Sequence, residues 1–271
     1  MKPAAMWLRL KNVPRLRALQ LEEALFRADT RSWLITSEWD DPSRASSSEA
    51  AKAAHEAAQA VVLGISGKPE VMVHEDKIAA AGVPLIKRFS GGGTVICDAD
   101  TLFVTFIAAA DALPDVAPYP EPILQWTADV YGDAFSRCGV GGFRVNANDY
   151  CLEDLKFGGN AQSISGKRWL HHTSLLWDYD AERMEMLKQP PKQPEYRQNR
   201  PHGKFVRGLR GAFADAGHAR TSPSGGRSEL IEAIVKATSD RLDLNEISQQ
   251  EAEEAMLLPH RKVTRRVESG P

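Results

Sequence analysis

Apolar positions along the chain recur at two spacings, and the alternation between them predicts helices interleaved with strands. Trp7-Leu8-Arg9-Leu10 reads as a strand, whereas Leu21, Ala24, Leu25 and Ala28 recur at helical spacing and predict an amphipathic helix over 17–28. Residues 32–36 return to strand character. Ala60-Val61-Val62-Leu63-Gly64-Ile65 is a short apolar run broken by a glycine, the pattern of a buried strand. Residues 70–81 fit a helix that stops at Gly82. Residues 84–89 and 94–97 fit strands flanking a glycine turn, and 102–107 is the strongest β-run in the chain. Ile123, Trp126, Val130 and Ala134 mark a helix ended by Gly139, with Gly141-Gly142 beyond it. Strands are expected over 161–165 and 169–177, and an irregular proline-rich segment over 189–203. Ser228 is placed to cap a last helix whose buried face is Ile231, Ile234 and Val235. No internal repeat is visible. This order predicts an α/β or α+β domain with a mixed or largely antiparallel sheet flanked by helices.

One stretch breaks the pattern. Residues 38–48 are polar and include Pro42 and Ser46-Ser47-Ser48, and 49–59 are alanine-rich with an apolar face that buries little. Residues 38–58 therefore read as a mobile insertion at a loop tip within one domain spanning 1–271.

Length and composition narrow the classes. At 271 residues and 42% hydrophobic, the chain can bury the core of one large domain. A formal charge of -2 gives no global drive toward nucleic acid. Cys97, Cys138 and Cys151 make an odd count without CxxC spacing, which argues against a disulfide framework or zinc site and for a reducing compartment. No apolar stretch approaches a membrane span. The first 21 residues are basic without an acid, as in a transit peptide, yet their strand and helix spacing places them in the fold. The expected setting is intracellular and soluble, cytoplasmic or, in a eukaryote, organellar.

Two segments carry candidate chemistry: Lys87-Arg88-Phe89-Ser90-Gly91-Gly92-Gly93-Thr94-Val95 and Asp154-Leu155-Lys156-Phe157-Gly158-Gly159-Asn160-Ala161-Gln162. The triple glycine is neither a Walker loop nor GxGxxG. It is a tight hairpin turn, or a loop whose amides approach phosphate oxygens. Arg88 beside it can pair bidentately with a carboxylate or phosphate. Lys156, between Leu155 and Phe157, would hold an ammonium over a cleft and stabilise charge on an α-phosphoryl group. Asn148-Asp149 is a turn cap, or a pair in which Asp149 orients a ligand hydroxyl or helps hold Mg²⁺. Adjacent strand residues point to opposite faces, so only one of His171 and His172 can enter a given site. Cys151 is a small core hydrophobe or an acyl-carrying nucleophile.

In that order the motifs resemble the lipoate–protein ligase A branch of the biotin/lipoate ligase superfamily. The resemblance rests on Leu21-Glu22-Glu23-Ala24-Leu25-Phe26-Arg27, Val61 to Gly64, Lys87 to Asp98, Asn148-Asp149, Lys156 to Gln162 and Trp169 to Leu176, and covers about residues 7–205. It implies a mixed, mostly antiparallel sheet, with ATP and Mg²⁺ used to convert lipoate to lipoyl-AMP. Transfer to a lysine of apo lipoyl domains would follow, in 2-oxoacid dehydrogenase complexes or the glycine cleavage H protein. It implies that Arg88 touches the lipoyl carboxyl or adenylate phosphate. It also implies that Gly93, Thr94, Val95 and Ile96 line the nucleotide, that Ser90, Gly91 and Gly92 belong to the lipoate/adenylate-binding site, and that Lys156 is the essential lysine. Asn148, Asp149, Gly158, Gly159, Ala161 and His172 complete the implied site. Bacterial members carry a separate C-terminal domain; only about 70 residues follow Gly203, with 228–240 expected to finish the domain. Adenylation would then proceed unaided or with a separate accessory subunit. The alternative is ATP-independent octanoyl or lipoyl transfer between carrier proteins through Cys151.

Overall fold

The computed structural model describes residues 1–40, 53, 56–218 and 224–268. Eight strands build the main sheet: β1 (Ala4–Lys11), β2 (Trp33–Glu38), β6 (Thr101–Ala109), β7 (Phe143–Asn146), β8 (Asp149–Leu152), β9 (Leu155–Ser165), β10 (Arg168–Leu176) and β11 (Asp243–Ile247). Their order is β11-β1-β2-β6-β10-β9-β8-β7. The β11/β1 and β1/β2 pairs are parallel and the other five neighbours antiparallel. A smaller sheet, ordered β12-β4-β3-β5, combines β3 (Ala60–Leu63), β4 (Leu85–Lys87), β5 (Val95–Cys97) and β12 (Arg265–Arg266). The fold is therefore the mixed, mostly antiparallel α+β arrangement expected.

Three long helices cover the main sheet: α1 (Arg15–Ala28), α2 (Pro120–Arg137) and α3 (Arg227–Ser239). The two-residue period of the strands decides which face each side chain serves. Leu34, Val104, Phe106, Trp169 and Leu175 pack with α2 and α3 in the largest core. Trp33, Ile35, Ile107 and Leu170 turn the other way and pack against Leu21, Ala24 and Leu25 of α1. Each buried Leu, Ile or Phe contributes about 1.5–3 kcal/mol of apolar burial. Both faces are thus held firmly, and the second has room beside α1 for the smaller sheet.

Several expectations change. The helix expected over 70–81 is two short ones, Pro69–Met72 and Glu75–Ala80. Val73 separates them because it is fully buried and pairs with Leu187. Ser228 lies inside α3, whose N-cap is Gly226 at φ 103°, a left-handed conformation that favours glycine. β9 begins at Leu155, six residues before the strand expected at 161, and so carries Lys156, Gly158 and Gly159. β7 and β11 were not expected; β11 is mostly exposed and shows no apolar alternation. The proline-rich 189–203 is not wholly irregular: Glu195–Arg197 forms a 3₁₀ turn and a short helix starts at His202. The fold also does not finish at 240, since β11 joins the main sheet and β12 pairs with β4. The buried Glu23 carboxylate fixes that return by accepting from the Val263 and Thr264 amides at 3.0 and 2.8 Å. Of the insertion expected at 38–58, Glu38 closes β2 and 56–58 are helical, while 41–52, 54 and 55 lie outside the described residues.

Candidate active site

The first wall grows from β4. Just beyond Lys87 the chain delivers Arg88, which is buried, and turns through Ser90 to Gly93 into β5. The Arg88 guanidinium grips its own loop. Nη2 donates to the Gly91 and Gly93 carbonyls at 2.7 and 2.8 Å, Nη1 to the Val62 carbonyl at 3.3 Å, and Nε to Ser90 Oγ at 3.0 Å. Burial pushes Arg88 down to about 10, a value at which it keeps its charge at neutral pH. The resemblance implied contact between Arg88 and the ligand. Arg88 lines the cavity, but most of its donors fix the loop that does the same.

Ser90 extends this network. Because its Oγ accepts from Arg88, its hydroxyl proton is free to go to His172 Nε2 at 2.8 Å, and His172 Nδ1–H then donates to Glu22 at 2.9 Å. Burial outweighs the Glu22 hydrogen bond and lowers the His172 pKa, which keeps the ring neutral in this role. His171 points to the opposite face, as the strand period requires. It accepts from Gln162 at Nδ1 and faces Tyr150 at 2.9 Å, with a pKa lowered to about 3 by burial and then by His172. His171 is part of the packing under α2 and His172 part of the site.

The second wall is the start of β9. Lys156 Nζ lies 2.6 Å from Asp149 Oδ1 and 3.4 Å from the position a Cβ would take on Gly159, so the ammonium rests over a glycine backbone. Tyr196 donates to the other Asp149 oxygen at 2.8 Å. Asp149 was expected to orient a ligand hydroxyl or help hold Mg²⁺; each of its oxygens accepts one hydrogen bond and keeps a further lone pair. Among the described residues no group of three His, Cys, Asp or Glu is placed to hold a metal. Ala147 and Asn148, at φ 46° and 74°, form the two-residue turn between β7 and β8, so Asn148 is a turn residue that also faces the cavity. The walls are tied together by the Gly91 amide, which donates to the Gln162 carbonyl at 3.1 Å.

Between them lies a cavity of about 550 Å³. From the first wall Arg88, Gly92, Gly93, Thr94, Val95 and Ile96 line it. From the second come Asn148, Asp149, Lys156, Gly158, Gly159 and Ala161, with His172 on the floor. Ser90 and Gly91 belong to the loop but are not on the lining; they are engaged with His172 and Gln162. Sequence reasoning missed Arg15, Leu19 and Phe103 at the α1 end, and Arg197, His202 and Phe205 from the proline-rich segment that borders Lys156. The Arg207 amide docks that segment on the Lys156 carbonyl at 2.9 Å. Burial first, then Arg197 and Lys156, lower His202 to about 4, so it adds no charge beside the ammonium at neutral pH. Cys151 is a residue of β8, fully buried, with its thiol pKa raised by burial and its sulfur facing the Tyr196 hydroxyl at 3.5 Å. It lacks the base and the exposure that a nucleophile needs.

The family model for the lipoyl protein ligase A/B catalytic domain matches residues 17–216. The chain belongs to this family. A Plasmodium falciparum protein called inactive lipoate–protein ligase 2 is 27% identical over 221 residues, 70% of this chain and 56% of that protein. A lipoate–protein ligase A from Psychrobacter cryohalolentis is 30% identical over 118 residues, 44% of this chain and 32% of that protein. The chain thus spans about half or less of the length of these relatives. Two solved structures share the fold. One is a lipoate–protein ligase A bound with ATP, with TM-score 0.66 and 16% identity over 94% of this chain and 92% of that one. The other comes from a bipartite ligase of Thermoplasma acidophilum, with TM-score 0.67 and 17% identity over 94% and 91%. In this lipoyl ligase catalytic domain, β11 and β12 lie beyond the matched segment. Among the described residues no helix is long and apolar enough to cross a membrane.

Proposed function

We propose that this chain is an ATP-dependent acyl–protein ligase that activates lipoate, or an acid of the same length, as an acyl-adenylate. It then passes the acyl group to a lysine of a lipoyl domain. The observation that carries this reading is Lys156, held by Asp149 over the Gly159 backbone at the rim of a cavity whose opposite wall is a glycine loop riveted by Arg88. The acid carboxylate attacks the α-phosphorus, a bond to phosphorus forms, and pyrophosphate leaves. Charge grows on the α-phosphoryl oxygens, and a fixed ammonium there is worth roughly 3–4 kcal/mol. The glycine loop lets backbone amides come close to phosphate oxygens without a Cβ in the way. The acceptor amine then attacks the acyl carbon with AMP as leaving group, so no cysteine is needed. Asp149, whose two oxygens each keep a further lone pair, is the residue that would help hold Mg²⁺, and no step is routed through the ion. The proposed acceptors are apo lipoyl domains of 2-oxoacid dehydrogenase complexes and the glycine cleavage H protein. An accessory subunit remains part of the proposal for adenylation.

Incubation with ATP, lipoate and an apo lipoyl domain, followed by intact mass, tests it. A mass gain on the domain that disappears in Lys156→Ala is expected. No gain, with wild type and variant indistinguishable, refutes it.

A further inference from the structure

The proline-rich segment reaches the site through one hydroxyl. Tyr196 lies in the 3₁₀ turn Glu195–Arg197, and its hydroxyl donates to Asp149 Oδ2 at 2.8 Å while Lys156 Nζ meets Asp149 Oδ1 at 2.6 Å. Tyr196 is not on the cavity lining, whereas Asp149 and Lys156 are. A phenol keeps its proton at neutral pH, and burial strengthens that here, so Tyr196 is the donor in this bond. The Cys151 sulfur, 3.5 Å from the same hydroxyl, is a weak partner beside a carboxylate. Arg197 acts on Asp149 through charge alone.

The hydroxyl is held in place from behind. The Tyr196 ring packs on Phe205 with centroids 5.2 Å apart, the Arg197 guanidinium lies 4.7 Å over the same ring, and Arg200 donates to the Tyr196 carbonyl at 2.9 Å. Val206 and Arg207, which follow Phe205, are docked on Lys156 itself, the first by a β-bridge and the second by its amide on the Lys156 carbonyl. The segment is therefore fixed to the lysine by backbone and to the lysine's counterion by Tyr196. A carboxylate shared between a phenol and an ammonium holds the ammonium less tightly than one whose other oxygen is bare. With the Tyr196 donor gone, that second oxygen would turn to the nearest donor, and an ammonium has three to offer.

We propose that Tyr196 is a positioning residue: by taking up part of the Asp149 charge, it leaves the Lys156 ammonium directed at the cavity instead of locked onto its carboxylate. This deepens the ligase reading, and rests on it for what Lys156 does but not for how Lys156 is held.

The test is the rate at which a pulse of acetic anhydride acetylates Lys156 in the full chain, read by peptide mass spectrometry at one pH without nucleotide or divalent cation. The reagent can reach Lys156, whose side chain is 28% exposed. Tyr196→Phe removes the hydroxyl and keeps the ring on Phe205. Labelling slowed by roughly three- to tenfold, the range of one hydrogen bond, is expected in Tyr196→Phe, with no such slowing when the same change is made in Asp149→Asn. A residue that only supports the fold would give the opposite sign, since a loosened segment exposes Lys156. Labelling unchanged or faster in Tyr196→Phe, or slowed equally in the Asp149→Asn background, overturns the proposal. Circular dichroism reports whether each variant folds, and the sign in Tyr196→Phe decides if Asp149→Asn does not. Acyl-AMP formation assayed in parallel should show a lower kcat in Tyr196→Phe with KM for ATP nearly unchanged; the reverse split also overturns the proposal. Failure of wild type to form acyl-AMP counts against the ligase reading alone, because the labelling needs no ligand.

Discussion

Gly64 sits at the end of β3, where the chain passes beneath the glycine loop. A Cβ added there would lie 2.3 Å from the Gly92 carbonyl oxygen, and ordinary contact begins near 3.4 Å, so about 1 Å of displacement is needed. Neither partner yields easily. The obstructing atom is backbone, the loop is held by Arg88 through the Gly91 and Gly93 carbonyls, and the Ile65 amide ties the chain to the Ser90 carbonyl at 2.9 Å. Gly64→Ala is therefore an overpacking mutation costing about 1–3 kcal/mol. For a domain of this size that corresponds to a fall in Tm of roughly 2–10 °C. Gly92, Gly93 and Thr94 line the cavity, so any displacement of the loop is felt there; a shift of about 1 Å in a positioning element can cost 10²-fold in rate. Thermal unfolding monitored by circular dichroism and ATP binding by calorimetry measure the two effects. Gly64→Ala with unchanged Tm and unchanged ATP affinity would refute the claim that this contact sets the loop position.

Lys156→Ala should fold normally and lose adenylation by about 10²–10³-fold, read as acyl-AMP formed per minute. Cys151→Ser should retain acyl transfer, because the buried thiol takes no part; loss of transfer with the fold intact would restore the transferase alternative. Glu22→Gln leaves Arg15 and Arg88 without a buried carboxylate and should cost roughly 3–5 kcal/mol, seen in urea denaturation. The folded His171 pKa, about 3, lies below its unfolded value near 6.5. The stability involved is therefore present above about pH 6.5 and lost as pH falls toward 3, by about 2 kcal/mol at pH 5. Denaturation at pH 8 and pH 5 checks this, and His171→Gln should shrink the difference by about 2 kcal/mol, with the shares of His172 and His202 remaining.

Much of the fold could be read because its strands bury one or both faces, as in 102–107 and 169–177. β11 could not, since an exposed edge strand such as 243–247 has no apolar alternation to display. The two short helices at 69–72 and 75–80 read as one because the break at Val73 comes from a tertiary pairing with Leu187, not from a local breaker. Residue types and spacing singled out Arg88, Lys156, Gly92, Gly93, Gly158 and Gly159, which the structure brings to one cavity. What they could not convey is which donors would be spent inside the protein. Arg88 and Asp149 look like ligand-binding groups in sequence, yet neighbouring carbonyls claim most donors of the first, and Lys156 and Tyr196 occupy the second. Arg15 was legible only as one of several basic residues near the N-terminus.

The two-residue period of β10 explains why this one strand supports both the core and the chemistry. His171 and His172 are adjacent in sequence, but the first completes a polar network with Gln162, Tyr150 and Thr127 beneath α2, and the second joins Ser90 to Glu22 of α1. Both rings must be neutral for these bonds: His171 Nδ1 accepts from Gln162, and His172 Nε2 accepts from Ser90. Protonating His171 would set its Nδ1–H against the Gln162 amide donor, and protonating His172 would force the Ser90 hydroxyl to turn away. The glycine loop is thereby linked to a helix on one face through neutral rings and a hydroxyl, while the charges of Arg15, Arg88 and Lys156 border the cavity. Such a division lets the cavity carry net positive charge without loosening the sheet that positions it.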